Sequence, residues 1–394
     1  MHPDDVAPPQ REHVLRAEGG YWAFVPPPLP PALDIGLDLV NQLSAADRAL
    51  GVLAGVGQTM PNPHLLSQTL LRREAVQSSR IEGTQASLSD LVLYEAEPSR
   101  AESRGDVREV FNYVSAVHHV LDPGRRLPLS MPLLRGAHEL LLTGVRGDYA
   151  TPGEFRRSQN WIGPPGCTLD EATYVPPPPE RLWDCLGPCE KYLHAEHELP
   201  PLVVIALLHY QFEAIHPFVD GNGRVGRLLV ILLMVEWGLL PDPLLDLSAF
   251  IEPRRDEYYA RLLSVSTEGD WLGWILFFLS AVRHQALDAA GRAQRLQALR
   301  DDYRSRVATA RSSALLGTLV DALFANPALT ISGAARLLDV TPRAARLNID
   351  KLVEAGVLTE VSGRVRYKVF VARAIVDAVE GAAGHPERSK ESTS

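Results

Sequence analysis

Cysteine is scarce in this chain of 394 residues: there are three, Cys167, Cys185 and Cys189. An odd set cannot form the even disulfide framework of a small secreted scaffold. The Cys185/Cys189 pair lacks the second ligand pair that a structural zinc site takes, so reduced thiols in a cytoplasm are expected. Basic charge is also short. Lys and Arg number 39 against 48 Asp and Glu, for a net charge of −9, which argues against a protein that coats nucleic acid while leaving room for a local basic patch. The apolar run Leu228 to Val235 is far too short to span a bilayer. The opening MHPDDVAPPQ has no basic-then-apolar profile of a signal peptide. No membrane association is expected. Otherwise the composition is that of an ordinary globular protein, 46% hydrophobic and 22% charged, long enough for two or three domains.

Residues 1–31, ending in VPPPLPP, read as a stiff extended lead-in rather than a folded element. Residues 32–104 read as an N-terminal helical region. Asn62-Pro63 predicts a capped start for a helix that runs to Gly83. Residues 105–310 continue as helix after helix, with patterns over 106–122, 131–143, 180–196 and 200–215, and Ser130 suits a cap. Strands are nearly absent, so a mainly α bundle is expected. The segment 150–179 breaks the period, and its short alternation around Gln159–Ile162 predicts a hairpin flap. Residues 311–380 change character: three short helices, with Ala345, Ile349 and Leu352 on one face of the third, then a hairpin turning at Ser362-Gly363. That is a winged-helix arrangement. Between Ser332 and Arg373 eight Lys/Arg face four Asp/Glu, a local charge of 8 − 4 = +4. Arg343 and Arg346 at the third helix could read DNA, but a single such domain makes few phosphate contacts, so a protein-interaction or homodimerisation module is the favoured reading. Residues 381–394, charged and rich in small residues, are expected to be disordered.

Residues His216 to Arg227 read HPFVDGNGRVGR and carry most of the functional information. A glycine-rich turn here opens an apolar helix, aiming backbone N–H groups and the positive end of the helix dipole at one spot. Arg224 and Arg227 add charge within the first turns. The spot suits a phosphate chain. His216, at the end of an apolar helix, suits a base that deprotonates an attacking hydroxyl. Asp220 suits Mg²⁺, which takes one or two carboxylates beside phosphate oxygens. Gly221, Asn222, Gly223 and Arg224 would orient and neutralise the phosphates, Arg227 would reach the distal one, and Phe218, beside Pro217, would anchor the loop in the bundle.

This string resembles the core motif of the Fic family, HxFx[D/E]GNGRxxR, at every position. The resemblance implies transfer of AMP from ATP to a Ser, Thr or Tyr hydroxyl of a target protein, self-modification included, with Mg²⁺ and a core over about residues 105–270. Related Doc phosphotransferases carry Lys at the second glycine, so Gly223 favours AMP transfer. Residues Gly153–Gly163 resemble the family's target-binding flap, where Ile162 would clamp the target side chain. Phe250–Tyr259 resembles a stretch that lines the nucleotide base, with Arg254 where relatives carry Asn. Ser78 to Gly83, SSRIEG, fits the inhibitory motif [S/T]xxxE[G/N]. Ser78 and Glu82 share a helical face, and Glu82 precedes a capping glycine at a helix end whose dipole disfavours an anion. By resemblance Glu82 pairs with Arg227 and blocks the distal-phosphate position. Two alternatives stand beside a restrained adenylyltransferase: a hydrolase that removes AMP, with Glu82 aligning water, and a winged-helix regulator that senses nucleotide.

Overall fold

The computed structural model describes residues 2–59, 63–97, 105–147, 149–308, 314–364 and 367–381. It is mainly helical. The long helices are α1 (Leu37–Thr59), α2 (Pro63–Ile81), α3 (Leu88–Ala96), α4 (Gly105–Leu121) and α5 (Met131–Leu142). They are followed by α6 (Leu182–Leu193), α7 (Pro201–Ile215), α8 (Asn222–Glu236), a short α9 (Ser248–Ile251), α10 (Arg255–Glu268) and α11 (Trp271–Val307). Helix α7 is buried on nearly every side, as the mostly apolar run PLVVIALLHYQFEAI requires, and it packs on α8, which is apolar from Leu228 to Met234. These two helices form the centre. Around them lie α4, α5, α6 and α10, with α2 laid across α4 and α8.

The lead-in is more structured than expected. Strands β1 (Val14–Arg16) and β2 (Trp22–Phe24) pair antiparallel, Val14 opposite Phe24. The Phe24 N–H donates to Val175 O at 2.9 Å, so this hairpin braces the 150–179 segment. Only the proline run after it is extended, because three-residue strands leave little period beside so many prolines. The flap itself contains one antiparallel bridge, Ile162 with Tyr174, rather than paired strands. Ser130 occupies an N-cap position but does not cap; its hydroxyl donates to Pro128 O, and the Met131 N–H is taken by Glu190 Oε1 at 2.8 Å. Asn62 and the tail 382–394 lie outside the described residues.

The C-terminal part comprises α12 (Ala314–Ala325), β3 (Ala328–Thr330), α13 (Ile331–Leu338), α14 (Pro342–Glu354), β4 (Thr359–Glu360), β5 (Val369–Val371) and α15 (Arg373–Glu380). Thr330 and Thr341 cap α13 and α14 with their side chains. The strands form an antiparallel sheet in the order β3-β5-β4. Ala345, Ile349 and Leu352 are fully buried, as their spacing requires. Three of the basic residues have acidic partners: Arg346 with Asp350, Lys368 with Glu360 and Arg364 with Glu97. This part packs directly on α2. Thr69 Oγ1 donates to Phe324 O at 2.5 Å, and Arg72 Nη1 donates to Ala325 O at 2.7 Å.

Candidate active site

Helix α7 ends because His216 turns left-handed, at φ 49°, and Pro217 cannot continue the helix. The chain re-enters α8 through Gly221 at φ 80°, a conformation glycine adopts without penalty. Asn222 closes the loop on itself: Phe218 N–H donates to its Oδ1 at 2.8 Å, and its Nδ2 donates to Phe218 O at 2.9 Å. The Asn222 amide thus spends one donor and one acceptor on the loop backbone. Phe218 is fully buried, stacked on His138 with ring centres 3.8 Å apart, and anchors the loop as expected.

Two flap residues with no role assigned from sequence hold the loop from the other side. Buried Arg156 donates from Nε to His216 O at 2.9 Å and from Nη2 to Pro177 O at 2.5 Å; burial lowers its pKa to about 10. Asn160 Nδ2 donates to Phe218 O at 2.7 Å. Their partners are backbone carbonyls, which carry no side-chain signal in a sequence.

The loop opens on a cavity of about 570 Å³ bordered by Glu82, Ile162, Glu213, His216, Asp220 and Tyr259 among others. His216 Nδ1 lies 3.1 Å from Glu213 O. A carbonyl only accepts, so Nδ1 carries the proton and Nε2 is left as the basic nitrogen. Burial pushes the His216 pKa down to about 4, with the hydrogen bond to Glu213 O opposing and Arg156 adding to the fall, so the ring is neutral at pH 7. Asp220 is partly exposed, and its contacts with Gly221 N–H at 2.5 Å and Arg224 at 3.7 Å both use Oδ1.

Arg224 is buried between Asp220 and Glu109, 3.5 Å from the latter, yet its Nε and Nη1 have no hydrogen-bond acceptor. Glu109, unassigned from sequence, is also buried and accepts from Thr84 Oγ1 at 3.0 Å. Arg227, 1% exposed, donates from Nε to Ser78 Oγ and from Nη2 to Ser78 O, both at 2.9 Å, and from Nη2 to Glu82 Oε1 at 2.7 Å. Its Nη1 is buried without an acceptor. Such donors cost about 1–3 kcal/mol each when left unpaired, and all of them flank the N-terminus of α8. The carboxylate meets the guanidinium through one oxygen, not two. The guanidinium is gripped at three points, two of them supplied by Ser78. Burial alone would raise the Glu82 pKa; Arg227, its hydrogen bond, Arg224 and His216 together hold it below the ordinary value. Gly83, at φ 92°, ends the segment.

Residues 40–122 match the Fic/DOC family N-terminal domain and residues 128–234 match the Fic/DOC family. The chain thus carries a Fic N-terminal domain and a Fic domain over these two segments. Among curated Fic relatives, the protein adenylyltransferase Fic of Drosophila virilis is 35% identical over 155 residues, covering 39% of this chain and 28% of that protein. The one from Drosophila melanogaster is 35% identical over 127 residues, covering 32% and 23%. The chain thus spans about a quarter of the length of these relatives. In fold it is similar to a Fic family protein from Desulfovibrio desulfuricans G20, at 22% identity and TM-score 0.56, covering 87% of this chain and 98% of that one. It is also similar to Fic-1 from C. elegans, at 22% identity and TM-score 0.50, covering 66% and 74%.

Of the residues singled out in this chain, His216, Asp220, Gly221, Asn222, Gly223, Arg227, Glu82 and Ile162 border one cavity. Arg254 does not. Its guanidinium lies over the Phe250 ring at 4.2 Å and donates to Phe250 O, which turns it outward into a separate groove with Arg80. The Phe250–Tyr259 stretch meets the cavity through Tyr258 and Tyr259 instead. Cys185 and Cys189 are free and buried, their thiol pKa values raised by burial to about 11 and about 12. No helix among the described residues is long and apolar enough to cross a membrane.

Proposed function

We propose that this chain is a protein adenylyltransferase that moves AMP from ATP to a Ser, Thr or Tyr hydroxyl of a target protein, itself included, and that Glu82 restrains it. The observation that carries the reading is the meeting of His216, the N-terminus of α8 and Arg227 on one cavity. The name protein adenylyltransferase on the relatives agrees with it.

The target hydroxyl attacks the α-phosphorus while His216 Nε2 takes its proton; the bond to the β-phosphate oxygen breaks and pyrophosphate leaves. The amides of the first α8 turn have no partner within the helix and receive the α-phosphate's charge, with Arg224 beside them. Asp220 fits as the protein ligand of Mg²⁺: one carboxylate with Oδ2 to spare, at the mouth where phosphate oxygens complete the set. Magnesium, when bound, supplies charge neutralisation of the phosphates. Ile162, 41% exposed beside the cavity, would contact the target side chain. A cytoplasmic location accords with three free thiols. The C-terminal part reads as a winged-helix module for protein contacts or self-association, since a single such domain makes few phosphate contacts and three of its eight basic residues, Arg346, Lys368 and Arg364, already have acidic partners.

Transfer of label from α-labelled ATP, with the modified residue mapped by mass, tests the activity on wild type, Glu82→Gly and His216→Ala. Label carried by Glu82→Gly but not by His216→Ala is the expected result. Absence of label from every form on itself and on a cell lysate would reject transfer. Removal of AMP is the second reading, because the ionised Glu82 carboxylate borders the cavity and could align a water; release of AMP from an adenylylated protein by wild type but not by Glu82→Gly would favour it.

A further inference from the structure

Glu213 lies one turn before His216 in the most buried helix of the protein. It is 9% exposed, it borders the same cavity, and its Oε1 is buried without a hydrogen-bond partner. Gly226 makes room for it: a Cβ at that position would overlap Glu213 Oε1. Burial pushes the carboxyl up to about 8, with Arg227 opposing and Glu82 reinforcing, so at pH 7 it is neutral. A neutral carboxyl has one O–H to donate and one carbonyl to accept.

Three neighbouring tyrosine hydroxyls are already paired. Tyr258 hydroxyl is 2.8 Å from His209 Nε2, Tyr210 hydroxyl is 2.8 Å from Ser266 Oγ, and Tyr174 donates to Ala214 O at 2.8 Å. A buried polar group left without a partner is costly and points to a ligand. Position says which part of the ligand. Arg227, at the amide end of α8, and Tyr258 and Tyr259 of α10 all interact with Glu213, and Tyr259, Leu262 and Leu263 border the same cavity. A nucleotide with its phosphates at Arg227 and its base against α10 has its sugar between them. A sugar hydroxyl both donates and accepts, matching the neutral carboxyl.

We propose that Glu213 is a specificity-determining residue whose carboxyl hydrogen-bonds a ribose hydroxyl of the bound nucleotide, so that the site takes ribonucleoside triphosphates in preference to their deoxy forms. The inference rests on the nucleotide reading of the cavity given above. An enzyme site built to pair a hydroxyl discriminates against an analogue lacking it, because the site's own polar group is then left unpaired.

The test is direct binding, by calorimetry, of ATP, 2′-deoxy-ATP and 3′-deoxy-ATP to the full chain carrying Glu82→Gly, which frees Arg227. Glu213→Gln and Glu213→Val are added to that parent. The parent should bind ATP about tenfold or more tighter than at least one deoxy form. Gln, which keeps a donor and an acceptor, should preserve most of that ratio, and Val should bring all three ligands within about twofold. Equal binding of the three nucleotides by the parent overturns the proposal without any change at position 213, as does undiminished discrimination by the Val variant. Failure of the folded parent to bind any nucleotide would reject the nucleotide reading itself, and this inference with it.

Discussion

A Cβ on Gly223 would overlap Glu82 Oε1, the same oxygen that Arg227 Nη2 grips at 2.7 Å. The glycine of the loop and the Glu82 carboxylate are thus fitted to each other. This resolves an anomaly in the sequence. Glu82 sits at the end of α2, where the helix dipole disfavours an anion, but it is laid against the first turn of α8, where the dipole favours one. The carboxylate occupies the kind of position a phosphate would take.

Replacing Glu82 with Gly should therefore raise nucleotide affinity and label transfer. Arg227 loses one of three contacts and keeps Ser78, so it stays placed while its charge becomes available. Relief of a misalignment of roughly 1 Å can be worth about a hundredfold in rate, and a gain of about tenfold to a hundredfold is expected at equal ATP. Label equal to or below wild type would remove the brake from the account.

The fit between Gly223 and Glu82 predicts coupling. Gly223→Ala alone should destabilise the fold by about 1–3 kcal/mol, as overpacking does, and should cost less once Glu82→Gly has emptied the space. Chemical denaturation of both single variants and the double variant measures the interaction. Strictly additive losses would mean that the carboxylate moves aside freely and is not fitted to the loop.

How far these features could be read in advance follows from where their partners lie. The string from His216 to Arg227 declares itself because its chemistry is local: base, acid, glycine turn and arginines all fall within four turns' length of chain. Glu82 could be read because Ser78, Glu82 and Gly83 keep helical spacing, and the structure brings both Ser78 and Glu82 to Arg227. Arg156 and Asn160 could not, since they serve the carbonyls of His216 and Phe218 from some 60 residues away in sequence. Glu213 was hidden inside an apolar run that reads as core. Arg254 was misplaced because the turn before α10 swings its side chain onto Phe250 and outward, a rotation no spacing encodes. The lead-in hairpin failed to show because three-residue strands such as Val14–Arg16 carry too little alternation to compete with a proline run.

His216 should show its burial in the pH profile. Because its pKa is lowered to about 4, the ring is already neutral throughout the range where a free histidine titrates near 6.5. In the Glu82→Gly form, kcat/KM for ATP should stay flat from neutral pH down to about 5 and fall only below that. His216→Ala should abolish transfer at every pH while leaving ATP affinity within about threefold, since the base acts in the transition state alone. A limb at pH 6.5 would show a solvated base and a different assignment.

Asp220→Ala should uncouple magnesium from nucleotide binding. The Glu82→Gly parent and the same form carrying Asp220→Ala are compared by ATP titration with and without Mg²⁺. The parent should gain affinity with the metal and the variant should gain none. An identical magnesium response in both would take Asp220 out of the metal's coordination.

Glu213 carries the clearest consequence for stability against pH. Its pKa is raised from an ordinary 4.5 to about 8 in the folded protein, so the folded state holds a proton that the unfolded chain has released. Stability from this source is complete below about pH 4.5 and is lost as pH rises through about 8. The charges around it are Arg227 and Glu82, with the hydroxyls of Tyr258 and Tyr259 on α10; Arg227 softens the loss and Glu82 deepens it. Glu213→Gln cannot ionise, so its stability relative to wild type should grow between pH 5 and pH 8.5. The difference expected at the alkaline end is about 1–3 kcal/mol, less than the full shift implies because Arg227 partly repays the charge. Urea denaturation across that range gives the curve. A constant gap between the two proteins would mean that Glu213 is ionised, and already compensated, at every pH tested.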